Sequence, residues 1–114
     1  MYLGQLWKLK NTTLINKAGL WRSPYDWNFI NNDDGKFYIE TTSDDNKVLG
    51  VKDDEVVLEI KVPNKAGQLW IKGDEKAETK GYFSLMNFDS SQELVAISSS
   101  FLTMQGKPKN ECAV

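Results

Sequence analysis

Short apolar segments of four to six residues, each bounded by turn formers, recur along nearly the whole chain. They are rich in aromatic and β-branched side chains, which favour strands, and they rarely repeat at the spacing of an amphipathic helix. The Asn, Asp, Ser and Gly residues between them are those that hold tight turns. The pattern predicts a meander of about eleven strands, at 5–9, 13–16, 19–22, 27–30, 36–41, 47–51, 55–61, 67–72, 82–87, 93–97 and 100–105.

The length and charge of the chain limit its architecture and its partners. At 114 residues, with 40% hydrophobic and 26% charged residues, we expect a single globular domain spanning 1–114. A net charge of −2 gives no electrostatic reason to expect nucleic acid binding. No apolar run approaches the roughly 20 residues of a membrane helix, so we expect a soluble protein without membrane insertion.

Two residue types that carry much enzyme chemistry are missing or nearly so. The sequence has no His, which excludes Ser-His-Asp triads, imidazole bases and His-containing metal sites. Its one Cys, Cys112, can form no intrachain disulfide. No activated nucleophile or acid and base pair can be named, so we expect no enzyme, no cofactor and no metal. Residues 1–25 lack a signal-peptide pattern, which leaves the compartment open between cytoplasm and leaderless secretion.

The strands contain an internal repeat with an offset of 46 residues. Placing 35–51 over 81–97 without gaps aligns apolar with apolar and turn with turn, and it matches Gly35 with Gly81, Phe37 with Phe83, Ile39 with Leu85 and Val48 with Leu94. A second repeated element is Gly4-Gln5-Leu6-Trp7 and Gly67-Gln68-Leu69-Trp70, and Asp26-Trp27-Asn28 is a weaker third copy. Three strands that each carry a Trp indicate threefold construction.

At these residues the chain resembles the ricin-type (R-type) lectin module, a β-trefoil whose repeats end in Gln-x-Trp strands. The resemblance covers residues 4 to 106. It implies an all-β fold, a β-trefoil of three pseudo-repeats at about 11–31, 35–72 and 81–106, with strand 4–9 supplying the last strand of the third. The large indoles would fill the centre and the Gln amides would satisfy backbone groups, so the expected scaffold residues are Gln5, Trp7, Trp27, Gln68 and Trp70.

The first pseudo-repeat is shortened. Only 20 residues separate Trp7 from Trp27, against 43 between Trp27 and Trp70, so about one strand is lost or compressed. Either this lobe is a minimal one, or the chain completes its sheet by pairing with a second copy as a homodimer.

The resemblance implies glycan ligands, galactose-type or complex glycoconjugates. The family's pocket uses an Asp on the second strand of a repeat, a stacking aromatic and an Asn beside Gln-x-Trp. Here Gly50 and Ala96 hold the Asp positions and Gly67 replaces the Asn. Substitute ligands in the second repeat are Asp53, Asp54, Asn64, Lys65 and Gln68, unless these form only a solvated turn.

A second group of candidate ligand residues lies in the first repeat and comprises Trp21, Arg22, Tyr25 and Asp26. Two aromatics, a cation and a carboxylate within six residues suit sugar stacking and hydroxyl recognition, although the aromatics could instead serve only the core. Residues 1–25 as a whole carry four basic residues, Lys8, Lys10, Lys17 and Arg22, and no acidic one.

Two functions therefore remain open on the sequence. The first is a non-catalytic, carbohydrate-binding lectin-type module. The second is a protein-interaction or inhibitor module that keeps the trefoil scaffold and has lost sugar recognition, which the residues Gly50 and Ala96 favour. Fold alone does not decide between them.

Overall fold

The computed structural model describes residues 5–17, 19, 25–42, 47–53, 55–73, 81–98 and 101–106. These residues form ten strands: β1 (Trp7–Lys10), β2 (Thr13–Asn16), β3 (Trp27–Asn31), β4 (Lys36–Thr41), β5 (Lys47–Lys52), β6 (Glu55–Ile60), β7 (Trp70–Lys72), β8 (Leu85–Asn87), β9 (Gln92–Ser98) and β10 (Phe101–Gly106). A 3₁₀ turn, Ala66–Gln68, precedes β7. In this part of the chain, no helix has the length and hydropathy needed to cross a membrane.

Six of the strands follow one another around a closed antiparallel barrel, in the order β1-β2-β3-β4-β7-β8. Four of the contacts are regular pairings: β1 with β2, β3 with β4, β4 with β7, and β7 with β8. The other two contacts consist of only one or two backbone hydrogen bonds each. Trp7 N donates to Phe83 O at 2.7 Å and Phe83 N donates to Trp7 O at 2.9 Å, which joins β1 to the segment before β8. Trp27 N donates to Thr12 O at 2.8 Å, which joins β3 to the segment before β2.

The barrel has a pseudo-threefold arrangement built on three tryptophans. Trp7 pairs with Asn16, Trp27 with Thr41 and Trp70 with Asn87. On its other side, Trp7 contacts the backbone of Phe83, Trp27 that of Thr12, and Trp70 that of Phe37. Each of these three contact residues lies four positions before one of the strand partners: Phe83 before Asn87, Thr12 before Asn16, and Phe37 before Thr41. The same unit therefore occurs three times. The fold is an all-β trefoil of three pseudo-repeats, as the sequence predicts.

We call the three pseudo-repeats lobes 1, 2 and 3 in chain order, and among the described residues two of them add a hairpin to the barrel. Lobe 2 contributes β5–β6 and lobe 3 contributes β9–β10, and the two hairpins meet through the pair Thr103 and Glu55. In lobe 1 only residues 17–26 stand between β2 and β3, whereas residues 42–69 stand between β4 and β7. The first repeat is thus shortened by the length of a hairpin. Its predicted strand at 19–22 lies, apart from Gly19, outside the described residues.

The structure corrects two of the strand predictions and the repeat alignment. The strand predicted at 67–72 begins only at Trp70, and the one predicted at 82–87 begins at Leu85. The indoles of Trp70 and Trp7 donate to Leu49 O and Leu94 O, both at 3.0 Å, which makes Leu49 and not Val48 the equivalent of Leu94. The gapless alignment of the two repeats is therefore wrong by one residue after β4. The reason is that the turn before β9 is one residue shorter than the turn before β5.

The core lies inside the barrel and beneath the two hairpins. Trp7, Trp27 and Trp70 are 0%, 2% and 0% exposed. They pack in one cluster with buried residues from all three lobes: Leu14, Phe37, Ile39, Leu49, Phe83, Leu85, Leu94, Ala96 and Met104. Tyr38, Val48 and Leu69, which alternate with these positions along the chain, form a second buried cluster.

Candidate ligand-binding site

The connection between β6 and β7 in lobe 2 is fastened by the amide of Gln68, which is fully buried. Its Nε2 donates to Ile60 O and to Glu59 Oε1, each at 2.9 Å, and its Oε1 accepts from Val62 N at 2.8 Å. Gln68 is the last residue of the 3₁₀ turn Ala66–Gln68, and its side chain makes these bonds from that position. Both ends of the amide are used within the chain, so Gln68 positions the loop and does not face a ligand.

The same loop is held from its other side by Tyr38 on β4. The Tyr38 hydroxyl donates to Val62 O at 3.2 Å and accepts from Asn64 N at 2.9 Å. Asn64 has a φ of 58°, in the left-handed region that Asn tolerates better than most residues. Its side-chain oxygen accepts from Asn32 Nδ2 at 3.1 Å. The exposed residues of the loop are therefore held in one arrangement before any ligand arrives.

A carboxylate from β6 occupies the place that a side chain at Gly50 would take. Gly50 pairs with Val57 and Val48 pairs with Glu59, so Glu59 lies diagonally across from Gly50 on the neighbouring strand. A Cβ atom on Gly50 would lie 2.8 Å from Glu59 Cδ and would overlap the carboxylate. The sequence predicts Gly50 and Ala96 at equivalent positions, but the one-residue slip makes Val95 the lobe 3 equivalent of Gly50. In lobe 2 the space beside Gly50 contains a carboxylate that reaches across the hairpin.

One oxygen of the Glu59 carboxylate is held by hydrogen bonds within the described chain, and the other is not. Its Oε1 accepts from Gln68 Nε2 and, at 3.3 Å, from Lys65 Nζ. Its Oε2 makes no hydrogen bond to any residue that the structure describes, and the side chain is 21% exposed. A carboxylate fixed in this way can accept hydrogen bonds from ligand hydroxyls through Oε2. We refer to Glu59, Asn64 and Lys65 as the lobe 2 site.

Beside the lobe 2 site, the aromatic side chain is buried, whereas two apolar side chains are exposed. Tyr38 is buried, and Lys61 Nζ lies over its ring at 4.6 Å from the centroid while forming an ion pair with Glu40 at 2.9 Å. The Tyr38 ring therefore offers no open face for stacking. By contrast, Ile60 and Val62 are 69% and 44% exposed. Over the described residues, no group of three or more acidic or Cys side chains converges as a metal site would require.

The structure brings together some of the residues predicted for this pocket and separates others. Asn64 and Lys65 are exposed and lie on the fastened loop with Glu59. Asp53 lies at the tip of the β5–β6 hairpin, next to the pair Lys52 and Glu55, and Glu55 is four residues, or about 13 Å of strand, from Glu59. Asp54 lies outside the described residues. Glu59 was not predicted, and its one signal in the sequence is a glycine inside a strand, which often marks the close approach of another group.

The second predicted cluster is described only in part. Trp21 and Arg22 lie outside the described residues. Tyr25 is 45% exposed and meets Trp27 edge to face, with ring centroids 5.9 Å apart and planes at 78°. Asp26 is exposed, and its backbone oxygen accepts from Thr42 N at 3.0 Å. A half-exposed aromatic side chain therefore lies next in sequence to an exposed acidic residue.

Comparison with known proteins supports the fold. No family model matches the sequence, and no curated protein matches it. Among solved structures, the chain is similar to ThreeFoil, a designed three-fold symmetric protein, with a TM-score of 0.61 and 14% identity over 90% of this chain and 82% of that one. It is also similar to the cytolethal distending toxin of Haemophilus ducreyi, with a TM-score of 0.59 and 11% identity over 90% and 72% of the two chains. At such low identity the likeness concerns the fold alone, and together with the strand pairings it shows that the chain is a β-trefoil.

Proposed function

We propose that the chain is a non-catalytic carbohydrate-binding module of R-type lectin form. The observation that carries this proposal is the Glu59 carboxylate, which fills the side-chain space of Gly50 and keeps one oxygen open to solvent. A carboxylate beside an ammonium and an amide is the donor and acceptor set that recognises neighbouring hydroxyls of a sugar. The two Gln-x-Trp segments, which begin at Gln5 and Gln68, support the R-type form.

The lobe 2 site has the chemistry for hydroxyl recognition. Glu59 accepts hydrogen bonds, Lys65 Nζ donates them, and Asn64 contributes the amide group nearest to them on the loop. Each of these side chains is oriented within the chain, which reduces the entropy lost on binding. Tyr25 and Asp26 form a second candidate region, where the half-exposed ring covers the apolar face of a sugar and the carboxylate accepts from its hydroxyls.

Affinity at each site is expected to be low, because the lobe 2 site has few polar groups and no stacking ring. Two copies of the chain in one assembly would raise the apparent affinity without any new contact. A homodimer would also complete the shortened first lobe. Sedimentation at two protein concentrations tests this part of the proposal, and a monomer at both concentrations contradicts it.

Replacing Glu59 by Gln is expected to weaken glycan binding by about 10-fold or more, since a charged hydrogen-bond acceptor contributes roughly 1.5–3 kcal/mol. The substitution keeps an oxygen that can accept from Gln68 and Lys65, so the fold is retained. Ligands are first identified on a glycan array of galactosides and complex glycans, and affinities are then measured by titration of Trp fluorescence. Glu55→Gln, an exposed residue on the same strand, is the matched control and leaves affinity unchanged. Equal affinity of the Glu59 and Glu55 variants would show that the lobe 2 site is not the sugar site.

Replacing Gly50 by Ala is expected to displace Glu59 and to weaken glycan binding as Glu59→Gln does. The new Cβ would overlap the carboxylate, and Glu59 can move away only by giving up its bonds to Gln68 and Lys65. We expect the free energy of unfolding to fall by about 1–2 kcal/mol. Gly67→Ala is the control, because a Cβ there meets only Val51 O at an ordinary 3.6 Å. Affinity that survives in the Gly50 variant, with the fold intact, argues against the role given to Glu59.

A protein-interaction or inhibitor module is the second candidate, and one observation favours it. Ile60 and Val62 expose apolar side chains directly beside the lobe 2 site, whereas no open aromatic ring lies there among the described residues. Apolar contact area of this kind is more useful against a protein surface than against a sugar. Absence of binding across the whole glycan array, neutral and charged, would favour this function over the first.

A further inference from the structure

A second surface with a different charge lies where the N-terminal strand joins lobe 3. In the β1–β2 pair, Trp7 and Asn16 are both buried, so the alternate residues face outward. The outward residues of β1 are Lys8 and Lys10, and Lys17 follows β2 on the same face. Because Phe83 forms a bridge with Trp7, the residue before it, Tyr82, lies beside Lys8 on this outer face. We call Lys8, Lys10, Lys17 and Tyr82 the basic face.

Two of these lysines surround one aromatic ring. Lys8 Nζ lies 5.5 Å and Lys17 Nζ lies 5.8 Å from the centroid of the Tyr82 ring. The two ammonium groups are therefore no more than about 11 Å apart, which is close to the screening length of roughly 8–10 Å in physiological salt. An anion bound near both ammonium groups would be attracted by each of them. Tyr82 keeps the two side chains on the same part of the surface through cation–π contact.

The described segments that carry these four residues contain no acidic residue. Residues 5–17 and 81–88 hold three lysines and no Asp or Glu, although the whole chain has a net charge of −2. Lys10 and Lys17 form no ion pair with any residue in the described part of the chain. These two segments are therefore basic, whereas the rest of the chain is acidic on balance. Such a face attracts a small anion while the rest of the surface repels a long one.

We propose that the basic face binds sulfated oligosaccharides, as a second site distinct from the lobe 2 site. The class of ligand rests on the proposed glycan-binding function, whereas the charge of the ligand follows from the three lysines. Sulfate esters remain negatively charged at all physiological pH values and accept hydrogen bonds from ammonium groups. Proteins that hold nucleic acid without sequence preference commonly neutralise more phosphates than three lysines can. Without these lysines the chain has 11 Lys+Arg against 16 Asp+Glu, which disfavours an extended polyanion.

The test compares two double variants that change the net charge equally. Calorimetric titration with a heparin hexasaccharide is expected to show binding that weakens at least 10-fold in Lys8→Gln/Lys17→Gln. It should change less than twofold in Lys47→Gln/Lys52→Gln, whose lysines lie on β5. The slope of log K against log salt concentration should fall in magnitude by about 2 in the first double variant, since two cations are removed. Lys8→Arg/Lys17→Arg should restore the affinity, and near-ultraviolet circular dichroism should be the same for all variants.

Several results would overturn the proposal. Equal weakening in the two glutamine double variants would show an effect of net charge alone. Equal binding of the desulfated hexasaccharide would show that the lysines do not recognise sulfate. Tighter binding of a DNA duplex or of phosphatidylserine vesicles than of the hexasaccharide would assign the face to a different macromolecule. No measurable binding at 50 mM salt would contradict it outright.

The proposed function and the basic face can fail independently. Glu59→Gln should leave the affinity for the heparin hexasaccharide unchanged, because Glu59 lies on β6 in lobe 2 and is not part of the basic face. If neutral glycans fail to bind and the hexasaccharide still binds through Lys8 and Lys17, the lobe 2 site is wrong and the basic face stands. The reverse result removes the basic face and keeps the lobe 2 site.

Discussion

Replacement of Trp70 by Ala is expected to lower the free energy of unfolding by about 3–5 kcal/mol, a range typical of removing a large buried aromatic. Trp70 is fully buried, and its ring packs with core residues from all three lobes. Its indole nitrogen donates to Leu49 O at 3.0 Å, so the substitution also leaves a buried carbonyl unpaired. Since domains of this size are stable by only about 5–15 kcal/mol, the substitution should remove a large fraction of the total stability.

Urea denaturation followed by circular dichroism measures this effect, with Ile60→Ala as the control. Ile60 is 69% exposed, so its removal should change stability by less than about 0.5 kcal/mol. Trp70→Phe separates the two contributions, because it keeps most of the apolar ring and removes only the donor to Leu49. We expect it to cost about 1–3 kcal/mol. A Trp70→Ala variant as stable as the Ile60 variant would contradict the position of Trp70 at the centre of the lobes.

Replacement of Gln68 by Leu is expected to lower the free energy of unfolding by about 3 kcal/mol or more. The substitution keeps the approximate volume but removes both ends of the amide, leaving Val62 N and Ile60 O without their hydrogen bonds. An unpaired backbone group costs roughly 1–3 kcal/mol where it is buried, and here two part-buried groups are affected. The Glu59 carboxylate also loses a donor. We therefore expect the loop that carries Asn64 and Lys65 to lose its fixed arrangement, and glycan affinity to fall with it.

The matched control is the same substitution at Gln92. Its side-chain oxygen is buried and makes no hydrogen bond in the described part of the chain. Gln92→Leu should therefore be nearly neutral or slightly stabilising, since it removes an unpaired polar group. Both variants are measured by urea denaturation, and hydrogen exchange at the Val62 amide reports on the loop. If Gln68→Leu and Gln92→Leu have equal stability, the hydrogen bonds of Gln68 do not hold the loop as described.

The strand positions could be predicted because each lobe repeats a local signal. Gly35 and Gly81 each have a positive φ just before Phe37 and Phe83, which lie at the same place in lobes 2 and 3. The spacing from these turns to the buried positions fixes the register. The one-residue slip after β4 could not be seen, because Val48 and Leu49 are both apolar and either fits the alignment. Only the acceptors of the indole hydrogen bonds distinguish them.

The 3₁₀ turn before β7 was missed for a different reason. Gly67-Gln68-Leu69-Trp70 has the composition of a strand, and the sequence contains nothing that ends the strand at Leu69. The turn accompanies the bonds of the Gln68 side chain to Ile60 and Val62, which depend on the fold of the loop and not on local strand preference.

The lobe 2 site illustrates how far sequence reasoning about ligand residues can reach. Asn64 and Lys65 were expected from their place before Gln68, and they lie on the fastened loop. Glu59 was missed because its carboxylate reaches the space above Gly50 from the adjacent strand, and that relation depends on the pairing of β5 with β6. On the sequence, the absence of an acid at Gly50 favours lost sugar recognition, whereas in the structure a carboxylate lies in that space. The glycan array decides between the two functions.

The most direct test of the central claim, a closed trefoil of three lobes, is the contact between the first strand and the third lobe. In solution, nuclear magnetic resonance should show a strong cross-peak between the Trp7 and Phe83 amide protons, because these residues exchange both backbone hydrogen bonds. Both amides, and the indole N–H of Trp7, should exchange slowly with solvent. No cross-peak, together with rapid exchange of the Trp7 amide in a chain that is otherwise folded, would contradict the closed trefoil.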